Sequence, residues 1–220
     1  MVGDWIKKYQ EKQAFWLHDS NPRRPHALLT SGKHSGGYFN SKLVTEDATL
    51  LGEASRDLVD QLLQDSSFDI NDIDRVVGPQ TGATRLAESI ATEVTIKRGR
   101  LCAWASPAKA GEGEHKTMVF TDTKVGLGEK VLLVEDVLNT GGSIRLTAQA
   151  VEVAGGSVLP YTAVLVNRSG FNEVDGRKII SLINHSMPIW VPEKCPLCKV
   201  GSEAIRPKGI ESWQQLNASY

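Results

Sequence analysis

Apolar positions along this chain follow two rhythms. Short β-branched runs with no polar interruption suit strands buried on both faces of a parallel sheet. Between them lie stretches with apolar residues at helical spacing. Asp4 to His18, with Trp5, Ile6, Tyr9, Phe15, Trp16 and Leu17, predicts a helix with an aromatic face and Asp4 as its N-cap. Asn21 to Pro25 breaks it, and Leu28 to Val44 reads as two short β-like runs around a Gly/Ser-rich turn. Asp47 opens a second helix with Leu50, Leu51, Ala54, Leu58, Val59 and Leu62 on its apolar side.

From there the alternation is regular. A strand at Arg75 to Val77 is followed by a glycine-bearing turn, Gly78 to Thr84, and a helix to about Glu93. Strands are predicted at Leu101 to Ala105, Thr117 to Thr121 and Val131 to Val134, with a polar stretch at Ser106 to Lys116. A helix from Ser143 to Val153, closed by Gly155-Gly156, precedes strands at Val158 to Val166 and Ile179 to Ile183. Strand-helix alternation of this kind predicts an α/β, doubly wound, mainly parallel sheet with right-handed crossovers. The expectation is a single domain over 1–220, with about 1–45 and 185–220 forming a small hood over the sheet's functional edge.

The 220 residues suffice for a sizeable core. With 25 basic and 26 acidic residues, the net charge of −1 argues against a chain-wide nucleic-acid or membrane-surface role. Met1 to His18 holds no apolar signal core, and Val153 to Asn167 is shorter than the ~20 residues of a membrane span. The expectation is a soluble, cytoplasmic protein. The 3 cysteines make no disulfide framework. Cys195 and Cys198 form C-P-L-C, half of a four-thiolate zinc site, and are read as reduced thiols in a terminal turn.

The densest chemistry lies in Lys130 to Ser143, K-V-L-L-V-E-D-V-L-N-T-G-G-S. Glu135 and Asp136 follow the apolar run, and Asn139, Thr140, Gly141, Gly142 and Ser143 turn the chain into a helix. Ligands of open α/β sheets bind outside the carboxyl ends of the strands. A glycine turn opening a helix offers N–H groups and a positive helix end to phosphate. The acidic pair repels phosphate, so it suits vicinal hydroxyls or a magnesium ion. Neither G-x-x-x-x-G-K-[ST] nor a strand-linked G-x-G-x-x-G is present.

The strand, acidic pair and T-G-G-S together resemble the phosphoribosyl-pyrophosphate signature of the type I phosphoribosyltransferases. The resemblance implies that Glu135 and Asp136 hold the ribose hydroxyls, that Asn139, Thr140, Gly141, Gly142 and Ser143 hold the 5-phosphate, and that Val137 and Leu138 between them belong to the same phosphoribosyl-pyrophosphate site. Gly78, Pro79, Gln80, Thr81 and Gly82 would contact the pyrophosphate. Mg2+ would come with the substrate, with Asp136 as a candidate ligand. Lys109 to Lys116 has no apolar period and reads as a mobile loop, whose Lys109, His115 and Lys116 are the catalytic candidates against charge on departing pyrophosphate.

Within that family, Thr30 to Asn40 is similar to the S-G-x-x-S-x-x-Y segment of orotate phosphoribosyltransferases, and the C-P-L-C tail resembles that of a shorter subgroup. Ser31, Lys33, Tyr38, Phe39, Asn139 and Arg168 are then the base-binding candidates. The chain departs from the pattern at four points. Thr30 replaces a lysine before S-G, Asn139 a threonine before T-G-G, and Asn167 an aspartate before the late arginine, while Lys109 to Lys116 lacks the family's usual arginine-lysine opening and K-x-H-G run. The resemblance implies phosphoribosyl transfer to orotate by a homodimer whose loop reaches the neighbouring active site. A purine or other pyrimidine acceptor, or a non-catalytic sensor of the nucleotide sugar, are the alternatives. No basic recognition helix accompanies the sensor reading.

Overall fold

The computed structural model describes residues 4–111, 113–122 and 124–220, the side chain of residue 114 excepted. They divide into two compact units, Ser41–His185 and a smaller one built from Asp4–Asn40 with Ser186–Tyr220.

The small unit opens with helix α1 (Trp5–Glu11), where the Asp4 carboxylate accepts from the Lys7 N–H. Strands β1 (Phe15–Leu17), β2 (His26–Leu28), β3 (His34–Ser35) and β4 (Gly37–Phe39) follow. The predicted helix to His18 is therefore cut short. Gln13 adopts a φ of 50°, which ends the helix, and Phe15 to Leu17 instead pair antiparallel with Gly37 to Phe39. The β-like reading of Lys42 to Val44 is likewise replaced by a single turn, α2 (Lys42–Thr45), in the large unit.

In the large unit Asp47 caps α3 (Ala48–Leu62), its carboxylate accepting from Thr49 and Leu50 N–H. Strand β5 (Arg75–Val77) leads to α4 (Thr84–Arg98), a turn longer than predicted and stopped by Gly99 at φ +68°. Then come β6 (Ala103–Ala105), β7 (Ala108–Ala110), β8 (Thr117–Val119), β9 (Lys130–Leu138), α5 (Gly142–Val153), β10 (Ser157–Asn167), β11 (Glu173–Val174) and β12 (Arg177–Asn184). The small unit resumes with β13 (Ile189–Trp190), α6 (Pro196–Lys199), β14 (Ala204–Ile205) and α7 (Ile210–Asn217). There β13 pairs with β3 and β14 with β2, so the two chain ends share one four-stranded sheet.

The main sheet has the order β11-β12-β10-β9-β5-β6, with β12, β10, β9, β5 and β6 parallel and β11 antiparallel at the edge. Helices α3 and α4 lie together against β5, β6, β10 and β12. On the other face Ile144, Ala148 and Val151 of α5 pack with Val131, Leu133 and Val164. Val131 to Val134 are wholly buried, each Val or Leu contributing about 1.5–3 kcal/mol. The chain leaves β5 for β6 in one direction and returns across it to β9, β10 and β12. The carboxyl ends of β5 and β9 therefore flank the topological switch point, where open α/β sheets hold ligands.

Candidate functional site

Register makes the crevice. Strand β5 pairs with β9 only as far as Val77 opposite Leu133, whereas β9 continues to Leu138 with β10 alone beside it. Glu135 and Asp136 thus lie within β9 and not beyond its end. The apolar run carries on through Val137 and Leu138, which the intervening charges obscured in the sequence. One edge of this extension faces the loop that leaves β5.

Successive strand side chains point to opposite faces, so the vicinal acids part company. Glu135 shares a face with Val131 and Leu133 and is only 8% exposed. Burial pushes its carboxyl well above the usual carboxylate range, and the Asp136 charge pushes it further, while Lys109 opposes the shift. Asp136 turns toward the start of α4. Its Oδ1 accepts the Val137 N–H at 2.8 Å, and among the described residues no lysine or arginine pairs with it.

Gly82 lies against that carboxylate. A Cβ there would fall 2.5 Å from Asp136 Oδ2 and 2.8 Å from its Cγ. Only glycine allows the turn and the β9 carboxylate to approach so closely. The rest of the Gly78–Gly82 turn is braced from β6: Ser106 Oγ donates to the Gly78 carbonyl at 2.7 Å, and Gln80 Nε2 donates to the Ser106 carbonyl at 3.0 Å. Thr84 Oγ1 lies 2.7 Å from Ser106 Oγ. Ser106 and Thr84 escaped the sequence reading because a lone hydroxyl carries no pattern.

On the other side of the crevice Gly141, at φ +78°, turns Thr140 into α5. No side chain caps this helix, so its first N–H groups are available to an anion. Arg145, also absent from the sequence reading, donates to the Thr140 carbonyl at 2.8 Å and pairs with Asp175 at 3.0 Å, which fixes the loop from behind. Asn139 Oδ1 is a buried acceptor with no partner among the described residues. Beside it the Arg168 N–H donates to the Leu138 carbonyl, and the Arg168 side chain is 2% exposed. Asn167 organises the following turn, accepting from Ser169 N–H and Oγ and donating to the Phe171 carbonyl.

The predicted mobile loop contains regular structure. Ala108 to Ala110 and Thr117 to Val119 pair antiparallel, with Lys109 opposite Met118. Met118 is buried between exposed Thr117 and Val119, a strand alternation too short to read in advance. Lys109, His115 and Lys116 are all exposed on this hairpin. Gly111, at φ +74°, is packed onto the His115 carbonyl and has no room for a side chain. Residue 112 and the side chain of residue 114, both part of the loop singled out above, lie outside the described residues.

The remaining base-binding candidates belong to the small unit. Ser31 and Lys33 are exposed, and Tyr38 is half-buried with its ring 5.8 Å from that of Trp213. Phe39 is different. It stacks on Phe15 at 4.6 Å and meets Tyr9 edge-on at 5.6 Å, so its ring belongs to the core and not to a ligand surface.

A family model described as Phosphoribosyl transferase domain matches residues 47–191, which contain the whole crevice. The chain belongs to the type I phosphoribosyltransferase family. As a phosphoribosyltransferase it is a glycosyltransferase of the pentosyl-transferring kind. It is 32% identical over 204 residues to a Carboxydothermus hydrogenoformans protein named orotate phosphoribosyltransferase, covering 93% of this chain and 96% of the relative. A Caldicellulosiruptor bescii protein of the same name is 32% identical over 182 residues, 83% of this chain and 87% of its own. In fold, the phosphoribosyltransferase sheet matches the crystal structure of orotate phosphoribosyltransferase from Aeropyrum pernix with a TM-score of 0.56 and 22% identity, over 80% of this chain and 91% of that one. No helix among the described residues is long and apolar enough to cross a membrane.

Proposed function

We propose that this phosphoribosyltransferase moves the phosphoribosyl group of phosphoribosyl pyrophosphate onto orotate, releasing pyrophosphate. The observation that carries the reading is the convergence at one switch point of a paired-acid strand, an uncapped helix start and the buried Arg168. The extended similarity to proteins named orotate phosphoribosyltransferase supports it. In this assignment the α5 N–H groups with Thr140 and Ser143 hold the 5-phosphate. Asp136 and Glu135 take the ribose hydroxyls, and Gly78 to Gly82 the pyrophosphate.

Asp136 also suits a hard divalent cation, because its carboxylate lies beside Gly82 of the β5 turn and no lysine or arginine among the described residues pairs with it. Bound Mg2+ would neutralise phosphate charge there. Glu135, kept toward its neutral form by burial, is then able to donate to a hydroxyl oxygen as well as accept from one. Lys109 and Lys116 supply positive charge, and His115 a hydrogen-bond donor, where pyrophosphate departs. As the C–O bond to pyrophosphate breaks, the C–N bond to the base forms on the opposite face with inversion, and the ring nitrogen's proton passes to the departing pyrophosphate. No covalent nucleophile is required, since positioning and charge stabilisation suffice.

For the base we assign Arg168, whose planar fork matches a carbonyl- or carboxylate-bearing ring, and Asn139, whose amide can donate and accept. Ser31, Lys33 and Tyr38 are assigned as further contacts, with Phe39, the next residue of β4, anchored in the core by Phe15 and Tyr9. That both units together make one phosphoribosyltransferase domain, acting as a cytoplasmic homodimer, is part of the same proposal. Pyrophosphate release against a panel of bases tests it: orotate should be fastest, and adenine, hypoxanthine, guanine, xanthine and uracil poor. A faster rate with any of these overturns the base assignment alone. Tight phosphoribosyl-pyrophosphate binding with no turnover on any base would favour a sensor.

A further inference from the structure

A second constellation lies in the small unit and takes no part in the proposed reaction. His26 on β2, His34 on β3, and Cys195 and Cys198 at the start of α6 bring four ligand atoms within 4.8 Å of one another. His26 Nε2 is 3.0 Å from His34 Nδ1 and 3.5 Å from each of the two sulfurs. His34 Nδ1 is 3.2 Å from Cys198 Sγ. Around a tetrahedral zinc with Zn–N of about 2.0–2.1 Å and Zn–S of about 2.3 Å, ligand atoms stand roughly 3.3 Å (N to N) to 3.8 Å (S to S) apart. The observed spacings have that scale.

Hydrogen bonding prepares the ligands. Ser202 Oγ spends its single proton on the Arg24 carbonyl at 2.7 Å, so the 2.8 Å bond to His26 must be donated by His26 Nδ1. That leaves the His26 Nε2 lone pair pointing at His34 and both thiols. One lone pair facing three other electron-rich atoms suits a shared cation. Both cysteines are free of disulfides, Cys195 and His26 are wholly buried, and Cys198 closes the site at the surface. Two thiolates and two neutral imidazoles around a divalent ion give zero net charge, which a buried site tolerates.

We propose that His26, His34, Cys195 and Cys198 bind one zinc ion as a closed structural site. Binding releases the two thiol protons, and four protein ligands leave no open position for catalysis. Mixed nitrogen and sulfur donors at tetrahedral spacing select zinc over magnesium or calcium. The site joins residues 169 apart in sequence, Cys195 to His26. It therefore clamps the two chain ends of a unit near the ~70–80-residue size below which one core seldom suffices. The C-P-L-C pair thus gains its other half from two histidines on a hairpin, not from further cysteines.

The test is metal analysis of the full chain, purified reduced and reconstituted with zinc. About one zinc per chain is expected, falling to background in Cys195→Ser/Cys198→Ser. Ser202→Ala, which removes the partner of His26 Nδ1 together with the hydrogen bond to the Arg24 carbonyl, should bind zinc roughly 10–100-fold more weakly with the fold intact. Cobalt(II) substitution should give tetrahedral d–d bands with thiolate charge transfer. The proposal is overturned if folded, reduced wild-type chain takes up no zinc. A Cys195–Cys198 disulfide in the native protein, or cobalt spectra without thiolate bands, would overturn it equally.

Discussion

Replacing Gly82 by alanine perturbs the crevice through one added carbon. That Cβ would stand 2.5 Å from Asp136 Oδ2, 2.8 Å from Cγ and 2.9 Å from Oδ1, against optimal carbon contacts of about 3.5–4.0 Å. The carboxylate or the loop must therefore move by roughly 1 Å. Asp136 is short, and its Oδ1 already accepts the Val137 N–H, so it cannot swing away without loosening a charge-assisted bond. A 1 Å misplacement in a reacting complex costs on the order of 10²-fold. We expect Gly82→Ala to lower kcat/KM for phosphoribosyl pyrophosphate about 10–100-fold, or ~1.4–2.8 kcal/mol. Thermal stability should change little, because the φ of Gly82 lies outside the left-handed region and the loss of glycine's freedom in the unfolded chain offsets part of the clash. Steady-state kinetics beside thermal unfolding reads both. Asp136→Asn alone should weaken binding by a similar factor, and the double variant should fall short of the product, since both changes act on one carboxylate. Wild-type kinetics for Gly82→Ala, or full additivity, would refute the reasoning.

Other outcomes follow from the same geometry. Glu135, with an ordinary value of 4.5, is raised by burial, so the folded chain keeps a proton that the unfolded chain releases. Unfolding free energy contributed by this group should fall as pH rises from about 4.5 through the raised folded value. Glu135→Gln should flatten that dependence in denaturant titrations across pH, and an unchanged slope would remove Glu135 as its source. Arg168→Ala should largely abolish orotate-dependent pyrophosphate release, and Arg168→Lys should not rescue it, because an ammonium lacks the planar fork. Alanine at Lys109, His115 or Lys116 should reduce kcat more than affinity. Mixing such a chain with Asp136→Asn should restore some activity if the hairpin acts across a dimer; mixed dimers without activity would exclude that arrangement.

Much of the large unit was legible because its signals are local. The β9 run, the acidic pair and T-G-G-S are contiguous, and parallel strands buried on both faces announce themselves as apolar runs. The limits appeared where distant segments meet. Phe15 to Leu17 looked like a continuation of α1, since a short aromatic run has no period of its own, and only pairing with Gly37 to Phe39 decides it. Phe39 resembled a ligand contact until Phe15 and Tyr9 enclosed it. The separation of Glu135 from Asp136 onto opposite faces required knowing that β9 runs to Leu138. His26 and His34 carried no signal toward Cys195 and Cys198, because only the shared sheet of the two chain ends brings them together.

Transfer of phosphoribosyl to orotate in the crevice between β5 and β9 is read by incubating the purified chain with phosphoribosyl pyrophosphate, Mg2+ and orotate, and quantifying the phosphoribosylated base by chromatography alongside pyrophosphate. Equal amounts of the two products are expected, dependent on orotate and strongly reduced in Asp136→Asn. Pyrophosphate without nucleotide, or undiminished transfer by Asp136→Asn, would contradict the assignment.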